Sequence, residues 1–272
     1  MMDYLELKNW QKYSSLQTLL DLSTPPKKLF YSGKWNPKIF EYCVAIVGSR
    51  RMTDYGQRTI EKIIPQLVQQ KKTVVSGFMY GVDQYAHQVC VESGGKTIAV
   101  LGWGIDKKLV DEDLKLAQKI VAGGGILLSE WESQPPSHWT FPARNRIVAA
   151  LSNEVIIVEA ASESGSLITA RIANNLKRTL WAVPGPITSR TSIGTNNLIA
   201  KGKAKIWLGT ITQDSPSDDP ILQILEREAL TADELARKLN LPISEMGAQL
   251  SLLLLSGQIL EKGGKYYITD AS

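Results

Sequence analysis

Between residues 43 and 207 the chain alternates short apolar runs with longer stretches of helical period, and this alternation constrains the fold more than any single motif does. The runs are CVAIV (43–47), TVVS (73–76), TIAVL (97–101), ILLS (126–129), EVIIVE (154–159), TLWAV (179–183) and KIW (205–207). Most are rich in Val, Ile and Leu without the polar alternation of a half-exposed strand, so they suit strands covered on both faces. Helical patterns fall near 54–70, 82–93, 111–122, 143–151, 166–177 and 195–201. The predicted fold class is therefore α/β, a doubly wound parallel sheet.

The flanking regions differ. Residues 1–40 carry an amphipathic pattern and a Pro-Pro-Lys-Lys approach, and predict a short N-terminal helical extension ahead of a sheet domain at 41–209. Residues 210–219 are polar, acidic and Pro-containing, which marks a linker. In 220–272, three helical patterns precede a hairpin turning at Gly263-Gly264, and Thr231 with Glu234 fits a capping box. Three short helices and a hairpin predict a small C-terminal winged-helix domain. Its third helix, ISEMGAQLSLLLLSG, has no Lys or Arg, whereas a helix that enters a duplex groove is normally basic and polar. The tail is therefore expected to serve protein contact or self-association more than groove reading, with the wing lysines Lys262 and Lys265 placed to touch a phosphate.

Composition excludes several classes. Hydrophobic residues at 43% and charged residues at 21% argue against disorder and fibrous structure. No run approaches the roughly 20 apolar residues of a membrane span, and the acidic N-terminus does not suit a signal peptide, so a cytoplasmic protein without membrane contact is expected. Cys43 and Cys90 lie in apolar patterns, and His87 and His138 complete no metal-ligand spacing. The cysteines are expected to pack, and no metal or cofactor is expected. The net charge of +4 is a mild lean toward polyanions. From Arg144 to Lys205, however, nine basic residues face three acidic ones.

In an open parallel sheet, ligands bind outside the carboxyl ends of the strands, where helix N-termini present free N–H groups. The segments at those ends are Gly48-Ser49-Arg50-Arg51, Ser76-Gly77 with Gly81-Val82-Asp83, Gly102-Trp103-Gly104, Ser129-Glu130, Ser164-Gly165-Ser166, and Pro184-Gly185-Pro186 with Gly194-Thr195-Asn196. Glycine allows close backbone approach to an anion, hydroxyls donate to phosphate oxygens, and arginine forks onto them. A row of such loops suits a row of phosphates. The densest cluster is HWTFPARNR (138–146), where Arg144, Asn145 and Arg146 stand beside Trp139 and Phe141. Cations interleaved with aromatics serve unpaired nucleic acid, whose phosphates need charge and whose bases need a stacking face. The structural alternative packs Phe141 under its own helix and pairs Arg146 with Glu159.

Competing chemistries lack their residues. The first turn, GSRRMTDYG, is not the G-x-G-x-x-G of a dinucleotide site, and no P-loop is present. Ser76 lacks the G-x-S-x-G elbow, and Asp83 and His87 are four apart on one helix, where they are expected to pair with each other. No catalytic residue is expected.

These residues resemble the DNA-processing protein A (DprA/Smf) family. The resemblance rests on VAIVGSR (44–50), SGFMYGVDQYAH (76–87), TIAVLGWGID (97–106), SE (129–130), FPARNRIVAALS (141–152), SGSLITA (164–170), AVPG (182–185) and GTNNLIAKG (194–202), all in family order. It covers about residues 25 to 209 and implies an extended Rossmann fold. It also implies a dimeric single-stranded DNA binder that protects incoming DNA and helps load RecA recombinase during natural transformation. The implied pocket falls on Gly48, Ser49, Arg50, Phe141, Arg144, Asn145, Arg146, Ser164, Gly165 and Ser166. Two departures are visible: KKLVDED follows GWGID where the family commonly has a Tyr-Pro pair, and the region before residue 40 is shorter than the N-terminal helical domain of many members. A rival is a nucleoside-monophosphate phosphoribohydrolase on the same broad fold, but SESGSLITA lacks the glycine run and catalytic glutamate of that class. A second rival, a nucleotide-sensing regulator that grips duplex DNA through its wing, is disfavoured by the apolar third helix.

Overall fold

The computed structural model describes residues 2–209, 219–225, 228–256 and 258–268. The chain forms two compact units, Met1–Thr210 and Ile211–Ser272. The first begins with β1 (Leu5–Glu6), β2 (Phe30–Ser32), β3 (Cys43–Val47), α1 (Asp54–Gln69), β4 (Thr73–Ser76), α2 (Val82–Glu92), β5 (Thr97–Val100) and α3 (Asp111–Ala122). It continues with β6 (Ile126–Ser129), α4 (Thr140–Leu151), β7 (Glu154–Ile157), α5 (Ser166–Asn175), β8 (Thr179–Ala182), α6 (Ile193–Ala200) and β9 (Lys205–Ile206).

Among the described residues one sheet has the order β1-β2-β6-β5-β4-β3-β7-β8-β9. From β6 through β9 every pairing is parallel, while β1 and β2 are antiparallel additions at the β6 edge. The apolar runs are unbroken because both faces are covered. Along β3, Cys43, Ala45 and Val47 pack toward a layer containing α4 and α5, whereas Val44 and Ile46 pack toward α1 and α2. Cys43 and Cys90 are buried packing residues whose thiols burial pushes up to about 12.

The first 40 residues differ from the expected helical extension. They form 3₁₀ turns at Trp10–Lys12, Ser14–Asp21 and Pro37–Phe40, plus strands β1 and β2, and among the described residues they contain no α-helix. Their amphipathicity is real: Trp10, Leu16 and Leu19 are buried in the main core. The strand FYS (30–32) is fully buried, yet three residues are too few to show a period.

The strand order reverses direction between β3 and β7: the chain winds outward from β3 to β6, then returns beside β3 and winds the other way to β9. A crevice opens at such a switch point, outside the carboxyl ends of the strands.

The second unit contains α7 (Pro220–Leu225), α8 (Ala232–Leu239), α9 (Ile243–Leu255), β10 (Ile259–Lys262) and β11 (Lys265–Ile268). Its capping box is formed: Thr231 Oγ1 accepts from Glu234 N at 3.3 Å, and Glu234 Oε2 accepts from Thr231 N at 2.8 Å. The hairpin turns on Gly263 and Gly264 at φ 62° and 75°, which glycine adopts without strain. Leu235, Met246, Leu250 and Ile259 centre a separate core. Helix α9 leaves Ile243, Leu252 and Leu255 exposed at 52%, 67% and 86%. The predicted linker lies, apart from Asp219, outside the described residues. Among the described residues no helix is long and apolar enough to cross a membrane.

Candidate nucleic-acid interface

At the switch point lies a cleft of about 720 Å³, walled by the loops after β3, β4, β7 and β8 and by the first turns of α4. Each wall has a local cause. After β3 the chain turns tightly: Ser49 O accepts from Val82 N at 3.1 Å and Ser49 Oγ accepts from Arg51 N at 3.0 Å. A Cβ on Gly48 would come within 2.7 Å of Val82 Cγ2, so glycine is needed for this approach. Arg50 leaves the turn exposed, with its guanidinium 5.1 Å from the Phe141 ring centroid, within cation–π range.

The opposite wall is the start of α5. Ser164 and Ser166 share a hydroxyl bond of 2.8 Å, and nothing lies within 4 Å of where a Cβ on Gly165 would stand. A ligand can therefore approach this backbone closely. Asn145 Nδ2 donates to Gly165 O at 3.3 Å and ties the wall to α4.

Helix α4 divides its cluster between two faces, because residues two apart on a helix do not share one. Arg144 turns inward: it is 2% exposed, Nη1 donates to Val100 O at 2.7 Å, and Nη2 lies 3.9 Å from Asp83 Oδ2. Its Nε has no hydrogen-bond partner within the protein. Arg146 turns to the other side and forks onto Glu130, Nη1 to Oε1 at 2.8 Å and Nη2 to Oε2 at 2.6 Å, while Nε donates to Thr24 O at 3.0 Å. The two open guanidinium forks expected from FPARNR are thus one buried cation on the cleft and one structural clamp outside its walls.

Nor does Arg146 pair with Glu159. That carboxylate, 2% exposed at the end of the β7 run, accepts from Thr53 N at 3.0 Å, Thr53 Oγ1 at 2.5 Å and Thr191 Oγ1 at 3.2 Å, binding three loops together. Asp83 and His87 do not pair with each other either. Asp83 faces Arg144, and burial, opposed by that guanidinium, holds its carboxyl above the usual range. The His87 ring nitrogens lie 2.6 Å from Gly77 O and 2.7 Å from Thr97 Oγ1, and burial drives its pKa down to about 4. His87 is therefore neutral and lies outside the cleft walls.

The aromatic pair also separates. Phe141 stands on the cleft, edge-on to Trp103 at 6.3 Å, whereas Trp139 is exposed elsewhere against Trp131 at 5.6 Å. Gly102 lies beneath Phe141, where a Cβ would come within 2.8 Å of Cδ1. The loops after β5 and β6 thus support α4 rather than lining the cleft, and the edge forms one hollow instead of a continuous row.

Residues 7–214 match the family model for DNA recombination-mediator protein A. The chain belongs to this family. Residues 210–265 match the DprA winged helix domain. The chain is 36% identical over 211 residues to DNA processing protein DprA of Streptococcus pneumoniae, covering 74% of each. It is 33% identical over 274 residues to Protein Smf of Escherichia coli, covering 91% of this chain and 73% of that one. Against Protein Smf of Synechocystis, 39% identical over 188 residues, the match covers 68% of this chain and only 47% of the relative's length. The solved DNA processing protein A of S. pneumoniae superposes with a TM-score of 0.66 at 35% identity, covering 76% of this chain and 71% of that one. That of Helicobacter pylori, solved to describe its single-stranded DNA binding mode, gives 0.66 at 34% identity, covering 75% and 91%.

Sequence reasoning missed part of this DprA-family cleft. Arg190, Tyr80, Met79 and His138 also line it. Arg190 had a usable signal, standing between the Pro184-Gly185-Pro186 and Gly194-Thr195-Asn196 segments that follow β8. Tyr80 and Met79 come from the loop before α2, where Gly81, at φ 86°, brings the chain against Ser49 O.

Proposed function

We propose that the cleft binds single-stranded DNA without turnover and that this activity makes the protein a recombination mediator. The observation that carries the reading is the convergence, at the switch point, of open backbone at Gly165, the hydroxyls of Ser164 and Ser166, the exposed Arg50 and the Phe141 ring. Such a hollow suits a phosphate with its adjoining base, because the cations take the charge and the aromatic gives a stacking face. Arg146 serves the fold of α4, and the remaining expected site residues, Gly48, Arg144 and Asn145 among them, form the pocket. In this reading 41–209 carries DNA binding and 220–272 makes protein contacts. The protein acts in the cytoplasm as a dimer, protects incoming strands and helps load RecA.

Fluorescence anisotropy with an unpaired oligonucleotide and its duplex tests the reading. Unpaired DNA should bind more tightly. If Arg50, Arg51 and Arg190 each meet one phosphate, the log-log salt slope should be about −2, at roughly −0.7 per phosphate. Arg50→Ala should reduce it to about −1.4 and weaken binding. An Arg50→Ala protein with unchanged affinity and slope would remove the cleft assignment. Incubation with AMP should release no adenine; adenine release would restore the phosphoribohydrolase reading.

A further inference from the structure

The sheet rim opposite the cleft carries a second cavity, of about 520 Å³, where β3 and β7 begin. Its walls include Ser14, Ser15 and Thr18 from the 3₁₀ turn, Lys38, Asn153 and Arg178. Two cations, Lys38 and Arg178, stand against one carboxylate, Glu41, on that lining. Arg178 is only 18% exposed, and its Nη2 makes two long contacts, 3.5 Å to Asp21 and 3.3 Å to Ala150 O. Its Nε and the Ser15 hydroxyl are shielded from solvent and have no partner within the protein. The facing negative groups are Glu41, Asp21 and the carbonyl end of α4. The Arg178 guanidinium, Lys38 and the hydroxyls of Ser14 and Thr18, all on the cavity wall, are suited to an oxyanion, which accepts from charged and neutral donors together.

The cavity sits within a band of cations. Along this rim Lys96 precedes β5, Lys71 and Lys72 precede β4, Lys38 stands ahead of β3, Lys177 and Arg178 precede β8, and Lys203 and Lys205 flank the start of β9. Glu154 on β7 is offset by Lys72 at 3.1 Å and by donation from the Trp181 and Tyr42 side chains. Strands lie about 4.8 Å apart, so the band from β5 to β9 spans roughly 24 Å, enough for several phosphates. Helix α4 joins the two rims: Phe141 and Ala150 are about 14 Å apart along its axis at 1.5 Å per residue.

We infer that this cavity takes a phosphate group and that the flanking lysines extend it into a second contact for a nucleic-acid strand. The contact lies on the rim away from the cleft and goes beyond the reading proposed for it.

The test is site-specific thiol protection in the full-length chain. Both native cysteines are buried, so Ser14→Cys introduces the one accessible thiol among the described residues. A thymidylate oligonucleotide at ten times its Kd should slow maleimide labelling about tenfold, following 1 + [L]/Kd. Protection by inorganic phosphate or thymidine monophosphate as well would show that the cavity holds the isolated group. Protection by the oligonucleotide alone would show that the lysine band supplies the remaining affinity; either result supports the site. Arg178→Ala should abolish the protection, and Arg178→Lys should retain part of it. Lys38→Ala, at an exposed position, should reduce it without risk to folding. Labelling that no ligand slows, or protection unchanged in both Arg178→Ala and Lys38→Ala, overturns the inference. The Arg50→Ala background separates the two surfaces: there, Ser14→Cys protection should persist even though overall affinity falls.

Discussion

His87 offers a prediction whose size follows from its surroundings. The ring is fully buried, held between Gly77 O and Thr97 Oγ1, and its pKa is lowered from 6.5 to about 4. The folded state therefore excludes a proton that the unfolded chain binds below about pH 6.5. The stabilisation is fully present above pH 6.5 and is lost as pH falls toward 4, with a limiting slope of about 1.4 kcal/mol per unit and a total of about 3 kcal/mol. Asp83, with a raised carboxyl pKa, acts in the opposite sense just above the ordinary Asp range, so a variant is needed to isolate the histidine. His87→Gln keeps hydrogen-bonding capacity without titrating. All seven tryptophans precede residue 210, so their fluorescence during urea unfolding reports the larger unit alone. The stability difference between parent and His87→Gln should shrink by about 3 kcal/mol between pH 7 and pH 4. A constant difference across that range would show that His87 is not held neutral by burial.

Arg146→Ala should act on folding more than on DNA: it leaves Glu130, whose side chain is 9% exposed, without its fork and should cost about 3 kcal/mol in urea unfolding. Gly77→Ala places a Cβ against Arg144 Nη1 and Asp83 Oδ2; overpacking of about 1–3 kcal/mol and weaker oligonucleotide anisotropy are expected together. Glu159→Gln removes the charge that gathers Thr53 and Thr191, and should lower thermal stability by about 1–3 kcal/mol while flattening the salt dependence of binding. Leu252→Glu with Leu255→Glu, both at exposed positions, should leave stability within about 0.5 kcal/mol and oligonucleotide affinity unchanged, whereas sedimentation should report any loss of self-association.

The sheet was legible because the parallel strands β3 to β8 are four- or five-residue runs, mostly apolar and covered on both faces, as CVAIV and ILLS show; β9, two exposed residues long, is the exception. Helix positions followed from period, and α4 differs only in starting at Thr140, three residues before the predicted position. The N-terminal segment was not legible, because 3₁₀ turns and a three-residue strand leave no period to detect. At the site, residue types marked the correct loops but not the direction of each side chain. Arg144 and Arg146 read as equivalent, yet the helix points one toward β5 and the other toward Glu130, sixteen positions away through an irregular loop. Arg190 counts as charge in the sequence but has no visible place there, because β8 and α6 are joined by a loop held over the cleft by long-range bonds, Ala160 N to Thr191 O at 2.7 Å and Thr191 Oγ1 to Glu159 at 3.2 Å.

If the cleft binds a strand as proposed, the burial of Arg144 bears on how tightly it holds one. A surface arginine gives up about 2 kcal/mol of rotamer freedom when a ligand fixes it. Arg144 was immobilised when the domain folded, by the Val100 carbonyl and by close packing, so a guest meets a positive charge already in position. Preorganisation of this kind spares association part of its ordering cost.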